Sequence, residues 1–458
     1  MSNRKRTLIF LNLIITSFSA SLLATAMVIA LPHITNDLNV SLGIGQWVTS
    51  GFALASAIIM PLSAYLIHGI STKRLYMGCL IFVIIGLIIC TIAQTFPMLM
   101  TGRVIQAASG GILGAMAQVL LLTVYPRDKH GSVMGWYGMA IGFAPVIAPT
   151  ISGILMDLFT WRSVFVLCAV LMAISWICAL FVFDNFLPTR LETFDVFSFT
   201  LSAVAFGGLT LGAGNITNYG LMDPYSYVPL LIGIMTIIWF TKRQMSLSVP
   251  LLDFKLFSNR TFALASISAA VHNFVMQGSG ILTPTLVQTI YGCSATETGL
   301  FMLLPCIVFA TTSPIAGKVY DKFGIRKLYM VSSLTLFATL SSMAFATEEM
   351  PFLVVLIIYA IRNAALAMLM MPLITWGMST LEKDQIAQGT AVMRTLNNVA
   401  GAIGSAVIIG FMAFVTNISD FSPHAVMYGF NGAFGFSGVC TIIMVIIAFF
   451  FIKPKKVK

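Results

Sequence analysis

The sequence predicts an all-α polytopic membrane protein of two six-helix bundles with two extra helices between them, fourteen transmembrane helices in all. Three observations carry this. The chain is 9% charged and 58% apolar, with a mean hydropathy of +0.96, whereas a soluble chain is about one-quarter charged. Apart from Arg103, Arg162, Arg362 and Arg394, all of its 25 Lys and Arg fall in short segments on alternate sides of long apolar runs, the pattern of basic residues retained on one membrane face. A basic segment also recurs between two sets of helices, as described below.

A bilayer needs about 20 apolar residues per helix. Runs of that order lie near 8–32, 45–67, 76–95, 98–124, 131–156, 162–183 and 196–216, then 226–241, 261–289, 298–317, 328–346, 351–378, 388–416 and 426–452. The run at 226–241 is short for a span. Arg4-Lys5-Arg6 before the first run imitates a signal peptide, but the run to Pro32 is longer than a usual cleaved segment and reads as a retained first helix. Fourteen crossings place both termini on one side. The connections on that side carry Lys73-Arg74, Arg127 and Lys129, Arg190, Lys242 to Arg260, Lys318 to Lys327, and Lys383, and the termini add Arg4 to Arg6 and Lys453 to Lys458. The opposite connections hold no Lys or Arg beyond Arg162 at the lip of the sixth run. Both ends are expected in the cytoplasm, with the protein multi-pass in the cytoplasmic (plasma) membrane.

Other classes are excluded. The net charge of +10 is scattered over short loops and forms no nucleic-acid groove. Seven cysteines, six of them in apolar runs and without metal-type spacing, argue against a disulfide framework or a zinc site. With no phosphate-binding loop or nucleophile–base pair, the chain reads as no enzyme, with no cofactor and no energy from ATP hydrolysis.

Residues 61–77 (PLSAYLIHGISTKRLYM) and 314–330 (PIAGKVYDKFGIRKLYM) align without a gap, each between the second and third helix of a six-helix set. A duplicated helical set with a site at its interface is a transporter architecture. It divides the chain into a bundle at 1–184, two extra helices with a link at 185–260, and a second bundle at 261–458.

These residues resemble the major facilitator superfamily, and within it the fourteen-helix drug:H+ antiporter branch. Gly317 to Lys327, with Asp321, Gly324, Arg326 and Lys327, looks like the family's loop signature, whose charges lock the cytoplasmic gate. In the first copy the acid position is His68 and the glycine position Ser71. Arg103 to Gly111 is similar to the fourth-helix signature, whose buried Arg is implicated in coupling, and Pro250 to Phe257 matches the link after the two extra helices. One departure concerns mechanism. The branch usually carries an Asp in its first helix, where this chain reads Ser21-Leu22-Leu23-Ala24-Thr25, and none of the 15 Asp and Glu lies deep in a predicted span.

Gly131, Gly135, Gly138, Gly142, Pro145, Pro149 and Gly153 recur every three or four residues, which puts them on one helix face. Small residues let backbones approach and prolines bend the helix. The pattern resembles the family's antiport helix, which implies a gate; tight packing alone would use the same spacing. Intramembrane charge is costly and usually functional, so Arg103 and Arg394 are proton-coupling candidates; snorkelling competes, most strongly at Arg394. His272, the only histidine inside a span, can titrate near neutrality and is the third proton-coupling candidate, although a hydrogen-bonded interior residue is the reading favoured for it. Trp47, Phe52, Gln106, Tyr137, Gln277, Arg362, Asn397 and Asn398 are candidates to line a substrate cavity.

The resemblance implies a secondary active exporter of small amphipathic compounds, driven by the proton gradient and acting as a monomer in the lipid bilayer, with no nucleic-acid partner. Buried Arg without buried carboxylate makes permanent cations poor substrates. The competing readings are an uncoupled or differently coupled carrier of a metabolite or lipid, and a membrane sensor that does not transport.

Overall fold

A computed structural model of the chain describes residues 2–189, 194–220, 223–419 and 422–452. Arg190 and the basic residues from Lys453 onward, used above to assign sides, lie outside the described residues, as does the side chain of Pro149.

The described residues form long helices with no strand among them. The first set is α1 (Asn3–Asp37), α2 in two pieces (Trp47–Ile59 and Leu62–Gly69), α3 (Thr72–Ile92), α4 (Phe96–Val124), α5 (His130–Leu158) and α6 (Arg162–Val182). The intervening pair is α7 (Val196–Tyr219) and α8 (Pro224–Ser246). The second set is α9 (Arg260–Thr289), α10 (Ala295–Phe323), α11 (Ile325–Met343), α12 (Phe352–Met378), α13 (Ile386–Ile418) and α14 (Ala425–Ile446, continued by a π turn at Ile447–Phe451). Each predicted run coincides with one of these helices. The run expected to be short, 226–241, extends to the 23 residues of α8 because Lys242 and Arg243 remain helical.

Eleven of the helices are long and apolar enough to cross a membrane, or twelve with the two pieces of α2 counted as one bent span. That is fewer than the fourteen expected. The other two long helices, α9 and α11, carry many polar residues within their length, among them Ser266, Ser268, His272, Asn273 and Gln277 in α9 and Ser332 and Ser333 in α11. The 54° bend in α2 falls at Met60-Pro61; Pro61 lacks an N–H and its ring clashes with the preceding turn.

Capping residues set the helix starts. Asn259 accepts from the amides of Thr261 and Phe262 at the start of α9, and Ser294 with Glu297 forms a capping box on α10. Asp195 caps α7 through the Ser198 amide and pairs with Arg243 of α8 at 2.7 Å. Burial pushes the Asp195 carboxyl up, but hydrogen bonds from Ser198 and Arg243 outweigh it and hold its pKa at about 2.

Within the first set α3 packs on α4 and α6, and α1 on α5 and α6; within the second, α9 packs on α13, α10 on α12, and α11 on α12 and α14. Between the sets, α5 lies along α10, α4 meets α13, and α7 fills the space between α2 and α13 while pairing with α8. The repeat is visible in side-chain contacts. Tyr76 and Tyr329 occupy equivalent positions, and both are fully buried. Tyr76 donates to Asn12 of α1 at 2.7 Å, and Tyr329 donates to Ser268 of α9 at 2.6 Å, so each ties the third helix of its set to the first. One apolar core joins residues of both sets, such as Met134, Leu369 and Met371. A separate core, with Leu282, Phe301, Leu340 and Phe430, belongs to the second set alone.

Candidate functional site

The seam between α5 and α10 changes character along its length. At the end that carries the basic connections, a Cβ on Gly317 would meet the Gly131 carbonyl oxygen at 2.1 Å, and one on Gly135 would meet the Ser313 carbonyl oxygen at 2.7 Å. Only glycine permits that approach. Further along, Gly138 faces Ser313 and Met371, and Gly142 faces the Phe309 ring, while Gly153 near the far end of α5 has open space around it. The helix runs unbroken through Pro145. The closest approach of the two helices is therefore at the basic end.

Polar contacts reinforce the closed end. Asp321 of α10 accepts from the Gly131 and Ser132 amides at 2.7 and 2.6 Å, capping the first turn of α5 from the opposite half. A carboxylate there satisfies unpaired amides and complements the helix dipole. Ser313 donates to the Gly135 carbonyl at 2.9 Å, and Arg127 donates to the Leu381 carbonyl at 3.2 Å. Gly324, at φ 74°, makes the left-handed turn between α10 and α11. Lys327 lies over the Phe323 ring at 5.8 Å, and Arg326 shares a cleft with Arg127 and Asp321.

Above this closure lies a cavity of about 640 Å³ lined by residues of all six helices of the first set, of α7, and of α9 and α13. Its size is in the range of small-molecule sites. Phe52, Arg103, Gln106, Tyr137, Gln277, Arg394, Asn397 and Asn398 all line it. Arg103, 1% exposed, donates to the Val48 carbonyl at 3.1 Å and to Gln106 at 3.0 Å, and its guanidinium lies 4.3 Å from the Phe52 ring centre. These contacts place a fixed cation behind one aromatic wall, where a buried cation–π contact contributes about 2 kcal/mol. Arg394 reaches from α13 into the first half: its Nε donates to Gln118 at 3.0 Å, and its guanidinium occupies the space that a Cβ on Gly114 would need. No Asp or Glu is among the described residues that line the cavity.

Three expected residues lie elsewhere. Trp47 is 41% exposed and off the cavity, an aromatic side chain of the kind that sits at a membrane interface. Arg362 is buried inside the second half, donating to Asn363 and Ser279 beside the Tyr359 ring. His272 is 1% exposed and its Nε2 lies 2.9 Å from the Leu366 carbonyl, so it faces α12 while Asn273 and Gln277 face the cavity. Sequence reasoning missed Thr16, Ser17 and Ser56 in the wall; Ser17 lies 3.0 Å from the Tyr137 hydroxyl. The signal for Thr16 and Ser17 was the run of hydroxyl residues on the first span, while Ser56 lies on α2, outside that run. Gly114 and Gln118 were missed as well, because their pairing with Arg394 is purely tertiary.

Residues 13–405 match the family model described as Major Facilitator Superfamily. The chain is similar to an uncharacterized MFS-type transporter, YcnB, of Bacillus subtilis, with 32% identity over 96% of this chain and 94% of that protein. It is 30% identical to the lincomycin resistance protein LmrB of the same organism, over 98% of this chain and 96% of that protein. The crystal structure of the human organic anion transporter MFSD10 (TETRAN) superposes with a TM-score of 0.69 and 11% identity, covering 98% of this chain and all of that one; at that identity it supports the fold alone. The family match over most of the sequence, together with a relative of 32% identity along almost the whole chain, shows that this protein belongs to the Major Facilitator Superfamily.

Proposed function

We propose that the protein exports small amphipathic compounds, drugs or toxic metabolites, across the plasma membrane by alternating access between its two halves. On this reading the chain crosses fourteen times as a monomer, with the basic end and both termini cytoplasmic, and the closure of α5 on α10 is the shut cytoplasmic gate. The relative LmrB, named for lincomycin resistance, supports an export role. One observation carries the substrate class: a cavity of about 640 Å³ that holds Arg103 and Arg394 and has no carboxylate among its described lining residues. Neutral, zwitterionic or anionic amphiphiles fit such a cavity. A permanent cation finds only like charge, and in a low-dielectric site that repulsion amounts to several kcal/mol.

Proton antiport is the first reading of the energy source, on resemblance to the drug antiporters. A carrier that does not use the pH gradient is the second, and a specific observation favours it: the described lining has no carboxylate or histidine, and a guanidinium stays protonated. Efflux from vesicles with an imposed pH gradient separates the two. Antiport predicts efflux that scales with the gradient and proton release when substrate meets purified protein. Efflux indifferent to the gradient would establish the second reading. Proton release unchanged in His272→Ala would remove His272 as the carrier.

A further inference from the structure

A second cleft, of about 370 Å³, opens at the basic end and is lined by Arg6 of α1, Arg127 and His130 where α4 meets α5, and Lys383 between α12 and α13. The cations therefore come from both halves. Asp128, Glu382 and Asp384 adjoin them in sequence, yet none of these is among the described residues that line the cleft. Arg6 is held in place by its backbone, whose carbonyl accepts from the Tyr125 hydroxyl at 3.1 Å, and its Nε is buried with no hydrogen-bond partner. A buried donor without a partner is costly, and more so when it is charged. Arg127 spends one nitrogen on the Leu381 carbonyl and His130 one on the Tyr125 carbonyl at 2.9 Å. The remaining donors have no acid among the described lining residues to meet them.

We infer that this cleft is a binding site for a phosphate-type anion that bridges the two halves. The chemistry is a tetrahedral oxyanion, whose several acceptor oxygens match a set of converging guanidinium and ammonium donors. Two sources share it: the headgroup phosphate of an anionic lipid, since basic pockets between spans at the cytoplasmic face recognise such headgroups, and a soluble phosphate. The site is separate from the transport cavity, and the inference does not depend on what that cavity carries.

The test uses the full-length protein in nanodiscs of neutral phosphatidylcholine, with unfolding temperature and bound lipid by native mass spectrometry as readouts. One arm replaces part of the lipid with phosphatidylglycerol, and the other adds inorganic phosphate. A stabilisation seen with phosphatidylglycerol alone assigns the headgroup; one seen with inorganic phosphate assigns the soluble anion. In either case the apparent affinity is expected to fall about fivefold or more in Arg6→Gln and again in Lys383→Gln, one from each half. Arg6→Lys, which keeps the charge, should recover most of it and guards against a variant that merely folds poorly. Arg4→Gln removes an exposed cation of the same face that does not line the cleft and should leave binding within about twofold. No stabilisation by either probe would overturn the inference. So would an effect lost equally in Arg4→Gln, which is general surface charge, or one lost in only one of the two halves' variants.

Discussion

The two copies of the repeated loop differ at the acid and glycine positions, and the acid of the second copy reaches α5 of the other half. In the second copy Asp321 crosses to the other half and caps α5, and Gly324 takes a left-handed turn at φ 74° into α11. In the first copy Ser71 occupies the glycine position with an ordinary extended backbone, φ −57° and ψ 136°, and His68 stands at the acid position. The buried tyrosines that follow, Tyr76 and Tyr329, still do the same job in both. The packing of the third helix on the first is thus alike in both copies, while the carboxylate that caps α5 comes from the second loop.

Substitutions can break this comparison, beginning with the largest effect. Gly317→Val drives a side chain into the Gly131 carbonyl; overpacking costs about 1–3 kcal/mol or more, so export rate should fall about 10- to 100-fold at unchanged membrane abundance. Gly153→Ala, at the open end of the same seam, should leave export within about twofold. Asp321→Asn removes the charge from two amide hydrogen bonds, each charge-assisted bond worth about 1.5–3 kcal/mol. A distance probe across the basic ends of α5 and α10 should then show the closed population reduced by about tenfold. Gly324→Ala strains a left-handed turn and should lower stability by about 1 kcal/mol, whereas Ser71→Ala in the first copy should change it little; equal effects would remove the distinction drawn between the loops. The smallest effect belongs to Asp195→Asn at the α7–α8 pair. The folded pKa of about 2 lies below the ordinary 3.8, so the carboxylate stabilises the fold above pH 3.8 and loses that contribution as pH falls through about 2. The pair is solvent-accessible, which limits the loss to about 1 kcal/mol or less.

Much of the fold was legible because membrane spans announce themselves by length and apolarity. α9 and α11 show the limit. They are long helices whose polar residues face neighbours inside the bundle, as Ser268 faces Tyr329, so composition alone understates them. The close seam between α5 and α10 was legible through the spacing of Gly131 to Gly142, since small residues at helical period let backbones approach. The cavity was legible in part. Arg103 with Gln106 could be paired by their i, i+3 spacing, whereas the Arg394–Gln118 contact joins residues 276 apart, which no local pattern encodes. Arg362 and Arg103 look alike in sequence, two arginines within apolar runs; only packing puts one in the cavity and the other beside Ser279 and Tyr359.

Transport of matched amphiphiles by purified protein in liposomes tests the central claim most directly. One compound carries a neutral or anionic head and the other two quaternary ammonium groups on the same apolar body. A cavity with Arg103 and Arg394 and no carboxylate among its described lining residues predicts export of the first at least about tenfold faster, a difference of about 1.4 kcal/mol. Export of the dication at an equal or higher rate, with no partner subunit present, would contradict the account.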